Sequence, residues 1–192
     1  IVNEIRDKTH VVCIDNSSAN KAIPSIVIDN FNSVIESVNY LCTLGHDRIG
    51  FITGLDDSDV GRNRFAGYLN ALQRNGINQR DELIYKGDYS FQTGIDGAEH
   101  LLSISDGPTA IVCANDTMAI GVIKKLSKEG ISVPDDISVI GFDDIRVASH
   151  MTPALTTVSA PISGISRHAV DLLQAMMSGV NMDNRHIILP GQ

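Results

Sequence analysis

Short apolar runs alternate with longer amphipathic segments along the whole chain. The runs are mostly continuous stretches of Val, Ile and Leu, the pattern of strands covered by helices on both faces. The longer segments repeat apolar residues at helical spacing. The pattern predicts eight strands, at Val11–Asp15, Ile26–Asp29, Ile49–Thr53, Leu83–Lys86, Thr109–Cys113, Ile137–Gly141, Leu155–Val158 and His186–Leu189. It predicts five helices, at Phe31–Leu44, Gly61–Asn75, Phe91–Ile104, Thr117–Glu129 and Ile162–Ser178.

Turn residues mark the ends of these predicted helices. Pro161 stands at the start of the last one, where its missing N–H costs nothing. Four helices are followed by a glycine of the kind that ends a helix in a left-handed conformation: Gly45, Gly76, Gly130 and Gly179. Strands and helices that alternate with short connections predict an α/β fold with a doubly wound parallel sheet.

Composition narrows the possible functions. The 192 residues are 43% hydrophobic, with 23 acidic against 15 basic residues and a net charge of −8. A surface of that sign repels phosphate, so any contact with DNA is expected from residues outside this sequence. No stretch approaches the roughly 20 apolar residues that span a membrane. We therefore expect no membrane partner.

Cysteine and histidine usage predicts neither disulfides nor metal sites. Cys13, Cys42 and Cys113 each lie among apolar neighbours and form no CxxC pair, which favours reduced thiols in a cytoplasmic protein. The six histidines show no HExxH or other metal-ligand spacing. We expect no metal and no cofactor.

Polar side chains follow six predicted strands in succession. Ligands of open α/β sheets bind beyond the carboxyl ends of the strands, so these side chains are expected to converge on one edge of the sheet. Any one of them alone is more typical of a helix cap or a turn. They are Asp15, Asp29, the loop Asp56–Arg64, Asp88 with Tyr89, Asn115 with Asp116, and Asp143 with Asp144.

The residue types in this set favour binding over catalysis. Carboxylates accept hydrogen bonds from hydroxyls, arginine donates them, asparagine does both, and a tyrosine ring offers a stacking face. Such a set suits a sugar ring or a ribose. Neither GxGxxG nor GxxxxGK[ST] occurs, which disfavours a nucleotide-phosphate site. An enzyme acting on a sugar or nucleoside is an alternative, but the sequence shows no GxSxG and no paired nucleophile and base.

Five segments together resemble the LacI/GalR family of transcriptional repressors. They are LGHDRIGFITG (44–54), RNRFAGYLNAL (62–72), TAIVCANDTMAIG (109–121), VPDDISVIGFDD (133–144) and TPALTTVSAP (152–161). Their order and spacing match the family over essentially the whole sequence. Ribose-type periplasmic binding proteins carry a looser version of these motifs. A periplasmic sugar-binding protein of a transporter is therefore the alternative.

The resemblance implies a periplasmic-binding-protein-like fold of type I with two lobes and a ligand cleft between them. Residues 30–158 would form a complete C-terminal lobe, and residues 1–29 and 159–192 part of the N-terminal lobe. The family also implies a homodimer that senses a small molecule. Its operator DNA would be bound through a helix-turn-helix headpiece absent from this chain.

The resemblance also implies the residues that bind the effector. Arg64 in RFAG matches an effector-binding arginine, and Asn115 in CAND and Asp143 in GFDD match a pair that grips sugar hydroxyls. Tyr89 in GDYSF matches an aromatic that stacks on the ligand. Asp15, which ends its strand, and Asp29, at the first crossing between lobes, are further expected contacts.

Two features rank the possible effectors. The loop DDSDVG (56–61) lacks the Arg and Thr that purine-responsive members place there, which disfavours a purine base. The runs VIDN and GDYSF are similar to those of nucleoside regulators. The sequence therefore predicts a sugar first and a ribonucleoside second.

Overall fold

The computed structural model describes residues 8–15 and 22–192. The chain divides into two compact units. The central unit is one continuous stretch, residues 30–160. The terminal unit combines residues 1–29 with residues 161–192.

All eight predicted strands and all five predicted helices are present. The strands are β1 (Cys13–Ile14), β2 (Ser25–Ile28), β3 (Ile49–Ile52), β4 (Ile84–Tyr85), β5 (Ala110–Cys113), β6 (Ser138–Asp143), β7 (Thr156–Ser159) and β8 (His186–Leu189). The helices are α1 (Asn30–Thr43), α2 (Asp59–Arg74), α3 (Phe91–Leu102), α4 (Asp116–Lys128) and α5 (Ile162–Met177). Two short 3-10 helices, Asp81–Leu83 and Ala148–His150, were not predicted.

The central unit is built on a five-stranded parallel sheet in the order β4-β3-β5-β6-β7. Every residue of β3 and β5 is buried, so helices cover both faces of the sheet. Helix α1 packs against α2, and α3 packs against α4. The predicted doubly wound α/β fold is thus confirmed.

The terminal unit holds a three-stranded parallel sheet in the order β1-β2-β8. Strand β2 pairs with β8 from Ser25 opposite His186 to Ile28 opposite Leu189. The side chains of Ser25 and His186 also share a hydrogen bond of 2.8 Å. Helix α5 packs on β2 through its buried face, which includes Ile165 and Leu172.

Helix ends follow the predicted chemistry. The four helix-terminating glycines all have positive φ angles, between 69° at Gly76 and 90° at Gly45. Helix α2 begins two residues before its predicted start because the Ser58 side chain accepts a hydrogen bond from the Gly61 N–H. Ser90 and Asn115 cap α3 and α4 in the same way.

Two glycines set the distance between α3 and α4. A Cβ at Gly94 would overlap the Met118 carbonyl oxygen, and one at Gly121 would overlap the Phe91 carbonyl oxygen. Both obstacles are backbone atoms, which cannot rotate away. The two helices therefore pack with their backbones in contact.

Candidate ligand-binding site

The polar strand ends do not share one sheet edge, contrary to the expectation from sequence. Strands β1 and β2, which lead to Asp15 and Asp29, pair in the sheet of the terminal unit. The other four strands, β3 to β6, lie in the central sheet. The strand pattern alone suggested one continuous sheet. Strand β2 pairs instead with β8, in which His186 lies opposite Ser25 although the two are 161 residues apart in the sequence.

Arg64 connects the start of α1 with the ends of β5 and β6. Its guanidinium is only 4% exposed and donates from Nε to Asn30 Oδ1 at 2.8 Å and from Nη1 to the Ala114 carbonyl oxygen. Its Nη2 lies 3.3 Å from Asp143 Oδ1. The guanidinium carbon also lies 3.5 Å above the centre of the Phe142 ring, a cation–π contact.

Asp143 offers the accessible carboxylate of this group. Its side chain is 38% exposed although it pairs with the buried Arg64. Strand β6 runs two residues beyond its predicted end because Asp143 still pairs with Ser159 of β7. Asp143 and Asp144 both have positive φ, 111° and 55°. Such angles cost non-glycine residues about 1–3 kcal/mol each, so the surrounding structure must hold this turn.

Asn115 directly follows Ala114, a partner of Arg64, and links the start of α4 to the loop that carries Tyr89. Its Oδ1 accepts from the Met118 N–H at 2.9 Å, and its Nδ2 donates to the Tyr89 carbonyl oxygen at 3.1 Å. An amide oxygen has two lone pairs and an amide nitrogen two hydrogens. Asn115 can therefore keep both contacts and still meet a ligand.

Tyr89 is packed against a glycine. Its ring occupies the space that a Cβ of Gly54 would need, so a larger residue at position 54 would displace the ring. The Tyr89 backbone has a φ of 69°. The phenol oxygen is buried near Gly61 and has no hydrogen-bond partner among the described residues.

Replacing Tyr89 with phenylalanine is therefore expected to raise the free energy of unfolding by about 1 kcal/mol, since a buried hydroxyl without a partner carries a desolvation penalty. Urea denaturation followed by far-UV circular dichroism measures the change. Tyr85→Phe, on the half-buried Tyr85, is the matched control. A clear loss of stability in Tyr89→Phe alone would show that the hydroxyl is satisfied in solution.

Asp88 shapes the loop that carries Tyr89. Its carboxylate accepts hydrogen bonds from the Thr93 hydroxyl and from the Ser90 N–H, the latter at 2.9 Å. These bonds, that from Thr93 first, lower the pKa of Asp88 to about 2. Asp88 therefore stays ionised near neutral pH and acts within its own loop.

Asp15 and Asp29 belong to the terminal unit. The Asp15 N–H donates to the Ile26 carbonyl oxygen at 3.0 Å, and the Asp29 N–H donates to the Leu189 carbonyl oxygen at 2.8 Å. Both therefore continue the backbone pairing of their strands. Their contact with a ligand stays a prediction.

Sequence reasoning missed two parts of the Arg64 environment. Neither Asn30 nor Phe142 was among the predicted binding residues. The signal for Asn30 was its position at the start of α1, one residue beyond the expected contact Asp29. For Phe142 there was none, because its contact with Arg64 joins residues far apart in the sequence.

The central unit thus places Arg64, Tyr89, Asn115 and Asp143 in one connected network at the carboxyl edge of its sheet. The network contains an accessible carboxylate and an amide, a combination that accepts from and donates to hydroxyl groups. Within residues 8–15 and 22–192 there is no cluster of three His, Cys, Asp or Glu side chains placed to hold a metal. None of the helices in those residues is long and apolar enough to cross a membrane.

Comparison with known proteins agrees with this architecture. Residues 38–192 match the periplasmic binding protein-like domain family. A regulatory protein of the LacI family from Chloroflexus aggregans superposes on the whole chain with a TM-score of 0.92 and 32% sequence identity. The chain covers 69% of that protein. The chain belongs to the LacI family of transcriptional regulators.

Other members of the LacI family show the same relationship. The HTH-type transcriptional repressor CytR of Escherichia coli is 35% identical over 93% of this chain and 52% of its own length. The transcriptional regulator CelR, solved as a complex with cellobiose, has a TM-score of 0.88 at 27% identity, covering 94% of this chain and 56% of that one. The chain spans about half the length of the curated relatives it matches. It corresponds to the effector-binding domain of LacI-family repressors.

Proposed function

We propose that this LacI-family domain binds a sugar or a ribonucleoside at the carboxyl edge of the central sheet. Asp143 would accept hydrogen bonds from ligand hydroxyls, and Asn115 would both donate and accept. Tyr89 would contribute its ring. The observation that carries the proposal is the half-exposed Asp143 carboxylate, held at the end of β6 by the buried Arg64.

Burial changes the role that the family resemblance implies for Arg64. With its side chain 4% exposed, the guanidinium has little surface for a ligand. We infer that Arg64 acts mainly by fixing the carboxylate of Asp143 and the side chain of Asn30. This ion pair holds the Asp143 carboxylate in place, where a ligand hydroxyl can donate to it.

A sugar ranks before a ribonucleoside. The CelR structure holds cellobiose, which shows that a similar domain accepts a sugar. The runs VIDN and GDYSF favour the nucleoside class. Both classes carry the vicinal hydroxyls that a carboxylate and an amide recognise together.

Regulation of operator binding would depend on parts of the repressor outside this domain. We infer that ligand binding changes operator affinity of the full regulator, with a coupling of about 1–3 kcal/mol, as is typical of allosteric proteins. The net charge of −8 makes this domain itself a poor DNA surface. Family membership favours this role over a transport protein or an enzyme, and the regulator is expected to act in the cytoplasm as a homodimer.

A thermal-shift screen of the chain with D-ribose, D-glucose, cellobiose, cytidine and uridine tests the ligand class. A ligand at about 100 times its Kd stabilises the folded state by about 2.7 kcal/mol, which raises the melting temperature measurably. A response to a sugar or a nucleoside supports the proposal. If no sugar or nucleoside shifts the melting temperature, and isothermal titration calorimetry also detects no binding, the proposal is refuted.

Asp143→Gly tests the site itself. Glycine adopts a φ of 111° without strain, so the turn is kept while the carboxylate is removed. We expect the affinity for the responding probe to fall about 10- to 100-fold, since hydrogen bonds to a charged group are worth about 1.5–3 kcal/mol. The measurement is isothermal titration calorimetry.

Asp144→Gly is the matched control for this variant. It makes the same substitution at the next residue, which also has a positive φ but an exposed side chain. Its affinity is expected to stay within about twofold of the wild type. Equal losses in both variants would assign the effect to the turn and not to the Asp143 carboxylate.

A further inference from the structure

Asp116 is a fully buried carboxylate next to the proposed site. It is the first residue of α4 and follows the site residue Asn115 directly. Its side chain has 0% exposure, so no ligand can reach it. An aspartate is rarely buried in this way unless it is paired or hydrogen-bonded on all sides.

The carboxylate of Asp116 holds the backbone at the end of the strained turn. Its Oδ2 accepts a hydrogen bond from the Ile145 N–H at 2.8 Å. Ile145 directly follows Asp143 and Asp144, the consecutive residues with positive φ. One buried side chain therefore fixes the residue immediately after the turn.

Thr157, on the neighbouring strand β7, connects Asp116 with the turn through hydrogen bonds. Its hydroxyl donates to Asp116 Oδ1 at 2.5 Å and accepts from the Asp144 N–H at 3.4 Å. Thr157 lies opposite Gly141 in the β6–β7 pairing. A Cβ at Gly141 would overlap Asp116 Oδ1, so this glycine leaves the space that the carboxylate occupies.

The charge of Asp116 is opposed by burial and supported by its partners. Burial raises its pKa, while the bonds from Thr157 and Ile145 lower it, and Asp144 nearby raises it further. The N-terminus of α4 also favours a negative charge at this position. The carboxylate is therefore held in place by donors from Thr157 of β7 and from Ile145, which follows β6.

We propose that Asp116, acting with Thr157, is the positioning residue that holds Asp143 in its ligand-binding orientation. This inference rests on the role proposed for Asp143. The start of α4 then contributes twice to the site: Asn115 through its own amide and Asp116 through the turn that carries Asp143. Neither Asp116 nor Thr157 would touch the ligand.

Thr157→Val and Thr157→Ser form the decisive pair. Valine keeps the shape of threonine and removes the hydroxyl, whereas serine restores the hydroxyl. With D-ribose, D-glucose, cellobiose, cytidine and uridine as probes, we expect Thr157→Val to raise the Kd of the responding probe about 10-fold at a temperature where the variant is fully folded. Thr157→Ser should bring the Kd back to within about twofold of the wild type.

Hydrogen exchange gives a readout that needs no ligand. The Ile145 amide should exchange at least 10-fold faster in Thr157→Val and in Asp116→Asn, and at the wild-type rate in Thr157→Ser. If no probe binds the wild type, the proposed function fails while this result still tests whether Asp116 holds the turn. Unchanged exchange at Ile145, or a Thr157→Val variant that melts earlier but binds with the wild-type Kd, would overturn the inference.

Discussion

Replacing Arg64 with methionine is expected to lower the free energy of unfolding by about 2–6 kcal/mol, because two buried oxygen acceptors lose their donor at about 1–3 kcal/mol each. Asn30 Oδ1 and the carbonyl oxygen of Ala114 would each lose a hydrogen bond in a site that water does not reach. Phe142 would lose its cation–π contact. Urea denaturation with circular dichroism measures the loss.

Arg62→Met is the control for this result. Arg62 lies in the same helix two residues earlier, but its side chain is 55% exposed and pairs with Asp59 on the surface. Exposed ion pairs contribute about 0–1 kcal/mol, so the control should lose no more than that. Similar losses in the two variants would contradict the structural role assigned to Arg64.

Replacing Gly94 with alanine is expected to destabilise the protein by about 3 kcal/mol, at the upper end of overpacking effects. The new methyl group would collide with the backbone oxygen of Met118, and α3 would have to move away from α4. The gain of about 0.5–1 kcal/mol from a better helix former offsets only part of this cost. The midpoint of urea unfolding reports the difference.

Gly97→Ala, one turn later in α3, is the control, because its new methyl group would meet a side chain and not a backbone atom. A methyl group there would lie 2.6 Å from Ile52 Cδ1, the far end of a side chain that can rotate. The expected loss is therefore about 1 kcal/mol or less. Equal stability of Gly94→Ala and Gly97→Ala would contradict the close backbone contact between α3 and α4.

The sequence predicted the elements of this fold because its strands are continuous apolar runs bounded by turn residues. The runs AIVC and IGFI are unambiguous as buried strands, and the glycines after the helices define where they end. The start of α2 was misplaced although the signal was present. Ser58 followed by Asp59 is a typical helix start, but the acidic run around them was interpreted as a loop.

The site could be predicted only as a set of residues at strand ends. The family motifs pointed to Arg64, Asn115 and Asp143, and the structure joins these in one network. Burial of Arg64 could not be predicted, since its partners lie 34, 50 and 79 residues away in the sequence. The same holds for Asp116 and Thr157, which are 41 residues apart and carry no motif that pairs them.

The division into a continuous unit and a two-segment unit has a consequence for the order of events on the ribosome. Residues 30–160 contain every strand of their own sheet and can fold as soon as they emerge. Strand β2 has to wait for β8, whose first residue, His186, pairs with Ser25. At about 5–20 residues per second, synthesis of the intervening chain takes roughly 8–30 s. During that interval the apolar edge of β2 is unpaired, and nascent chains are then most open to chaperones and to aggregation.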